Sequence, residues 1–131
     1  MKKEIIMTEN APAAFGPFSQ AVKVGGFVFT SGILPLDPAS GKKVSGGIEN
    51  ETKQTLENLR AILETSGSSL NEIVKATIFL TDMNDFEIVN SIYSKYFSGD
   101  FPARAAIGVN SLAKNAKIEI QAISIHHTDD Q

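Results

Sequence analysis

The sequence predicts an α+β fold: one mixed β-sheet with two α-helices packed on one face, in a single domain covering residues 1–131. Three observations predict it. Runs rich in β-branched and aromatic residues alternate apolar with polar side chains. Two other segments carry apolar residues at helical spacing. The order of these segments, ββ-α-β-α-ββ, lacks the strict strand–helix alternation of an all-parallel sheet. A chain of 131 residues lies within the usual range for one domain, and no repeat or low-complexity segment divides it.

Taken in order, Glu4–Thr8 offers an additional short strand. Ser19–Val24 and Phe27–Ser31 flank Gly25-Gly26, a two-residue hairpin signal. The stretch "DPASGKKVSGG" (37–47) is rich in Pro, Gly and Ser and has no period, so it reads as a loop. From Ile48 the residues Thr52, Thr55, Leu56, Leu59, Ile62 and Leu63 recur at helical spacing, and Gly67 stands where a residue just past a helix end belongs. Ile73–Thr81 alternates as a strand. "NDFEIVNSIYSKYF" (84–97) then puts Phe86, Val89, Ile92, Tyr93, Tyr96 and Phe97 on one face of a second helix of similar length, stopped by "SGDFP". Two strands follow, Arg104–Val109 and Lys117–His126, joined by the polar "NSLAKNA"; the tail "HHTDDQ" reads as frayed.

With both helices on one face, the other face carries Phe27, Phe29, Thr77, Phe79, Ile123 and Ile125. That is more apolar surface than a soluble monomer usually leaves open, which predicts a closed homo-oligomer. A chain this short also has little room for an internal ligand pocket, so a site between subunits is expected.

Composition excludes several function classes. There is no cysteine, hence no disulfide framework, thiol nucleophile or cysteine-based metal site. The cytoplasm is therefore the expected compartment. The N-terminal "MKKEIIMTENAP" is too polar for a secretory segment, and no run approaches the ~18 apolar residues of a membrane span. Net charge is −3 and the cations are scattered, so nucleic acid is not an expected partner. The two histidines, His126 and His127, are adjacent and would point to opposite faces of a strand, which argues against a metal site and against a serine–histidine hydrolase. No phosphate-loop spacing occurs among the glycines, and no cofactor is implied.

Arg104, in "FPARAAIGV", is the only charge in a run that otherwise reads as a buried strand. Its period-two neighbours, Ala106 and Gly108, have almost no side chain, as the floor of a small carboxylate pocket would require. The competing reading is an ion pair with Glu119 in "KIEIQAISI", on the expectation that the last two strands are neighbours and that both residues share a face. Spacing alone favours the ion pair. A glutamate beside an arginine would stay ionised, which suits a water-orienting base equally well.

Five segments in this order, "ENAPAAFGPFSQAV", "TSGILPLDP", "DFEIVNSIY", "FPARAAIGV" and "KIEIQAISI", resemble the RidA/YjgF family of reactive-intermediate deaminases over nearly the whole chain. The resemblance implies a chorismate-mutase-like α+β fold and a homotrimer with a barrel-like core and clefts between subunits. It also implies cofactor-free hydrolysis of 2-aminoacrylate and 2-iminobutanoate to 2-oxoacids and ammonia. By position, Arg104 would clamp the substrate carboxylate and Glu119 would place the water. Ser31, Gly32, Phe18, Asn90 and Ala106 would line the cleft, with backbone groups near Gly32 and Ala106 holding imine and water. Phe18, Ala106 and Ile33 depart from the tyrosine, cysteine and glutamine found in many members, so the rim is more apolar and a cysteine cannot be an obligatory nucleophile. A non-catalytic 2-oxoacid binding or chaperone-like module and, less favoured by the acidic charge, an endoribonuclease are the alternatives.

Overall fold

Gly25, at φ +61°, turns the chain between β2 (Ala21–Val24) and β3 (Phe27–Thr30), and Val24 pairs with Phe27 across the two-residue turn. The structure is a computed structural model describing residues 1–127. The remaining elements are β1 (Glu4–Ile6), α1 (Gly47–Thr65), β4 (Ile73–Leu80), α2 (Phe86–Ser94), β5 (Ala103–Gly108) and β6 (Ile118–Ile125). Short 3-10 turns occupy Leu70–Glu72, Met83–Asp85 and Ala113–Asn115. Of the tail expected to fray, residues 128–131 lie outside the described residues.

The six strands form one sheet in the order β1-β2-β3-β6-β4-β5, mixed because β4 and β5 run parallel while every other pair is antiparallel. A parallel pair needs a crossover, and α2 supplies it between β4 and β5. The expectation that the last two strands are neighbours is not met: the C-terminal β6 inserts between β3 and β4, and β4 separates it from β5. Both flanks of β6 thereby find partners, Ile118–Ser124 along β4 and Ile123–Ile125 along β3, where a position on the edge would have left one side unpaired.

One face of the sheet meets both helices. Val28, Ala76, Ile78, Leu80, Ile118, Ile120 and Ala122 join Leu56, Leu59, Ile62 and Leu63 of α1 and Val89, Ile92 and Tyr93 of α2 in one buried cluster. The alternation read from the sequence thus assigns the faces of β6 and of Ala76–Leu80 in β4, but it fails at the start of β4, where an irregularity between Ile73 and Lys75 buries Ile73 and leaves Val74 exposed. On the opposite face Phe27, Phe29, Ile107 and Ile125 are each about 40% exposed, and Thr77, Phe79 and Ile123 are half-buried. The apolar surface expected there is present.

Helix α1 ends as its sequence dictates. The Ser68 N–H bonds the Leu63 carbonyl and the Gly67 N–H bonds the Glu64 carbonyl, with Gly67 at φ +80°. Helix α2 is shorter than its apolar stripe and less than half the length of α1, contrary to the similar lengths expected. Before it, Asp82 accepts from the Asn84 N–H and closes a 3-10 turn; after it, Tyr96 and Phe97 donate to carbonyls three residues back. Phe97 is still buried, so the stripe is continuous while the helix is not.

Two buried polar residues of α1 escape the hydrophobic pattern. Glu51 accepts from the Lys117 N–H at 2.7 Å, and Asn58 donates to the carbonyls of Leu34 (3.0 Å) and Leu36 (2.9 Å) while accepting from Gln54. Asn58 tethers the segment after β3 to the helix, and Glu51 tethers the residue before β6. Asn58→Ala strands both carbonyls in a buried site and is expected to cost about 2–4 kcal/mol in urea unfolding. An unchanged midpoint would show that the tether contributes nothing.

Candidate active site

The predicted site residues fall into two groups on opposite faces of the sheet. The first gathers where the chain leaves β3. Ile33 and Ile120 exchange both backbone hydrogen bonds, 2.7 and 3.0 Å, and this pairing lays Gly32 beside the Glu119 side chain. A Cβ at Gly32 would stand 2.0 Å from Glu119 Oε2, so the carboxylate occupies the place of the missing side chain. The Ser31 hydroxyl donates to the Ser19 carbonyl at 2.5 Å, which leaves its oxygen free to accept. Phe18 meets Phe15 edge to face, with ring centres 5.2 Å apart, and Lys114 Nζ lies 4.7 Å over the Phe15 ring.

Gln20 holds this group from behind. Buried, it accepts from the Thr8 N–H and donates to the carbonyls of Thr8 and Pro12, fixing the N-terminal loop against β2. The result is a crevice of about 30 Å³ lined by Phe15, Phe18, Ser31, Gly32, Ile33 and Leu36, room for a water or a methyl group. Sequence reasoning missed Gln20, because a polar residue at the start of a strand gives no sign that it will be buried.

Burial pushes the Glu119 carboxyl above its ordinary value. Arg104 plays no part in that shift, and the expected proximity of the two residues within one chain is not found. Glu119 pairs with Phe79, which pairs with Ile107, so Arg104 lies three residues along and two strands away, on the opposite face. That is a separation of about 14 Å between backbones at ~3.3 Å per residue and ~4.8 Å per strand. The folded chain favours the neutral form of Glu119. The stability this gives is complete below the ordinary glutamate value and is lost as pH rises through the raised value. Glu119→Gln is therefore expected to flatten that part of a melting-temperature profile above the ordinary glutamate value and to stabilise the protein once the native carboxyl would have ionised. A profile identical to the native one would show that burial of the carboxylate carries no penalty.

The second group surrounds Arg104. Residue 104 pairs with Ala76, and both point toward the helices. Because β5 is an edge strand, its helix-facing side is only half covered, so the long side chain runs along α2 and keeps its head exposed. Asn90 Oδ1 accepts from the guanidinium at 2.7 Å, and the rings of Tyr93 and Phe86 lie beneath it at 5.1 and 5.4 Å. Among the described residues Arg104 makes no ion pair. It borders an open groove of about 420 Å³ with Asn90, Tyr93, Ser94, Phe101 and Pro102. Ala106 is on the same side of β5, half-buried. The smallness of Gly108 has a packing reason: a Cβ there would come within 3.1 Å of Met83 Cγ.

Neither Tyr93 nor Phe86 was singled out as a site residue. The signal was available, since Phe86, Asn90 and Tyr93 stand at i, i+4 and i+7 of one helix and so share a stripe. Among the described residues no cluster of three or more His, Cys, Asp or Glu could hold a metal ion, and no helix is long and apolar enough to cross a membrane.

Fold and geometry together define a class: a small α+β layer protein whose polar groups collect in two separated surface sites instead of one internal cavity. The sequence pattern of the family described as Endoribonuclease L-PSP matches residues 8–126, and the chain belongs to this family, the RidA/YjgF proteins. It is 49% identical over 123 residues to the 2-iminobutanoate/2-iminopropanoate deaminase of Mus musculus, covering 94% of this chain and 91% of the mouse protein. Among solved structures it matches RidA of an Antarctic Psychrobacter at 42% identity and TM-score 0.90, over 93% of this chain and 98% of that one. It also matches E. coli TdcF with bound serine at 37% identity and TM-score 0.90, over 95% and 99%.

Proposed function

We propose that the protein is a 2-iminobutanoate/2-iminopropanoate deaminase, hydrolysing reactive enamine and imine intermediates to 2-oxoacids and ammonia. The observation that carries this is Arg104: an exposed guanidinium without an ion-pair partner among the described residues, pinned by Asn90 over two rings, with donors left over for a carboxylate. The activity named for the mouse relative and the serine bound to TdcF, itself a small carboxylate, support the same reading.

The chemistry asks little acid–base power of the protein. 2-Aminoacrylate tautomerises to its imine, whose carbon is already electrophilic. The water oxygen bonds to that carbon, the C=N electron pair moves to nitrogen, and Glu119 takes the proton water releases and returns it to nitrogen. The resulting carbinolamine expels ammonia as its hydroxyl loses a proton and the C=O forms. Positioning supplies most of the acceleration. The Ser31 oxygen and the backbone near Gly32 and Ala106 hold imine and water, while Phe18 makes the rim apolar.

Arg104 and Glu119 cannot reach one small substrate from the same copy, so the site is built from two. A chorismate-mutase-like homotrimer does this and buries Phe27, Phe29, Ile123 and Ile125 in a shared core. Sedimentation is expected to give three times the 14.1 kDa protomer mass; a protomer mass at micromolar concentration would overturn the assembled site.

The direct test couples the protein to a threonine or serine dehydratase with semicarbazide as imine trap. The protein is expected to suppress semicarbazone formation. Unchanged semicarbazone, with 2-oxobutanoate binding tightly in calorimetry, would instead select a binding module without turnover.

A further inference from the structure

The rings under Arg104 take no part in the proposed hydrolysis. Tyr93 is 4% exposed and packs at a tilt against Phe97 with ring centres 4.7 Å apart, and the Phe97 and Phe101 ring centres are 6.0 Å apart, so this surface is rooted in the core. The Tyr93 hydroxyl is buried with no hydrogen-bond partner among the described residues, although Tyr93 lines the groove. An unpartnered hydroxyl destabilises where phenylalanine would not. What Tyr93 offers Arg104 is therefore its face, together with that of Phe86, at distances where a ring quadrupole attracts a cation.

We infer that Phe86 and Tyr93 are positioning residues: an aromatic platform that keeps the Arg104 guanidinium flat and ordered, with Asn90 taking one donor, before a carboxylate arrives. This rests on the carboxylate-clamp reading of Arg104. A free arginine head would lose rotamer freedom when it captured a ligand, and a head already held by two faces and one acceptor loses less. Platform and substrate use different parts of the group, since the rings take its face and the carboxylate its edge.

The chain contains two arginines, which makes the guanidinium resonances a direct probe. Arg60, 5.1 Å over the Tyr96 ring, is the internal control. In ¹⁵N NMR of the native protein the Arg104 Nε–H signal is expected to be shifted by ring currents and to move on adding 2-oxobutanoate. In Phe86→Leu the ring shift should shrink with Arg60 unchanged, and 2-oxobutanoate affinity should fall roughly 3- to 10-fold while turnover at saturating imine stays within about twofold. Tyr93→Phe should keep both shift and affinity and raise the thermal midpoint.

Two results overturn the platform: Phe86→Leu leaving the Arg104 shift and the affinity unchanged, or Tyr93→Phe weakening binding as much as Phe86→Leu does, which would give the role to the hydroxyl. If 2-oxobutanoate fails to move the Arg104 signal in the native protein, the carboxylate reading fails first and the positioning role with it. The three failures are distinguishable in one set of spectra.

Discussion

Arg104→Ala is expected to leave semicarbazone formation at the level seen with no protein. The substrate offers one permanent charge, its carboxylate, and among the described residues Arg104 is the guanidinium found without an ion pair in an open groove. In the proposed cleft between subunits, losing one partner of a hydrogen-bonded charge pair shielded from water costs about 2–5 kcal/mol, or roughly 30- to 5,000-fold. The fold should survive, because the side chain is exposed and its one hydrogen bond is to Asn90 at the surface of α2. Arg104→Lys should recover little, since an ammonium cannot offer the two parallel donors of the fork. Native-like turnover by Arg104→Ala, with an unchanged circular dichroism spectrum, would remove Arg104 from the site.

Gly32→Ala should be nearly as damaging for a different reason. The backbone at Gly32 is not left-handed, so alanine meets no conformational strain there. The obstacle is spatial: the new methyl would overlap Glu119 Oε2 and crowd the carboxylate carbon at 2.6 Å. Either the Glu119 carboxylate swings away from Gly32 or the Ile33–Ile120 pairing opens. A displacement of about 1 Å at a positioned group can lower turnover ~10²-fold. The double variant with Glu119→Ala identifies the cause. If the clash is responsible, Gly32→Ala costs nothing further once the carboxylate is gone, whereas additive losses would place the damage in the backbone pairing.

Much of this molecule is legible locally. The hairpin at Gly25-Gly26, the Gly67 stop and the inward sets of β6 and of Ala76–Leu80 in β4 follow from turn chemistry and period-two alternation, each a property of a few adjacent residues. The limits of α2 are not, because Tyr96 and Phe97 continue its apolar stripe through 3-10 turns that a 3.6-residue period does not separate from helix. Buried Glu51, Asn58 and Gln20 are likewise hidden, since a polar residue reads as exposed until a backbone partner from elsewhere in the chain reaches it.

The sequence alone determined that this is an α+β chain with two helices on one face of a sheet, that its other face is apolar, and that Arg104 and Glu119 are the charges to examine. It also carried the family, through motifs that need no folding to be compared. The tertiary structure decided where those charges stand. Side-chain parity is set residue by residue, but the neighbours of a strand are chosen by pairing across distant parts of the chain. Insertion of β6 beside β4, with β5 outside, put Arg104 against α2 and Glu119 against Gly32 on the other face. An ion pair that spacing favoured is thereby ruled out within one chain, and the arginine keeps its free donors because the edge strand carrying it is covered on one side only by a short helix.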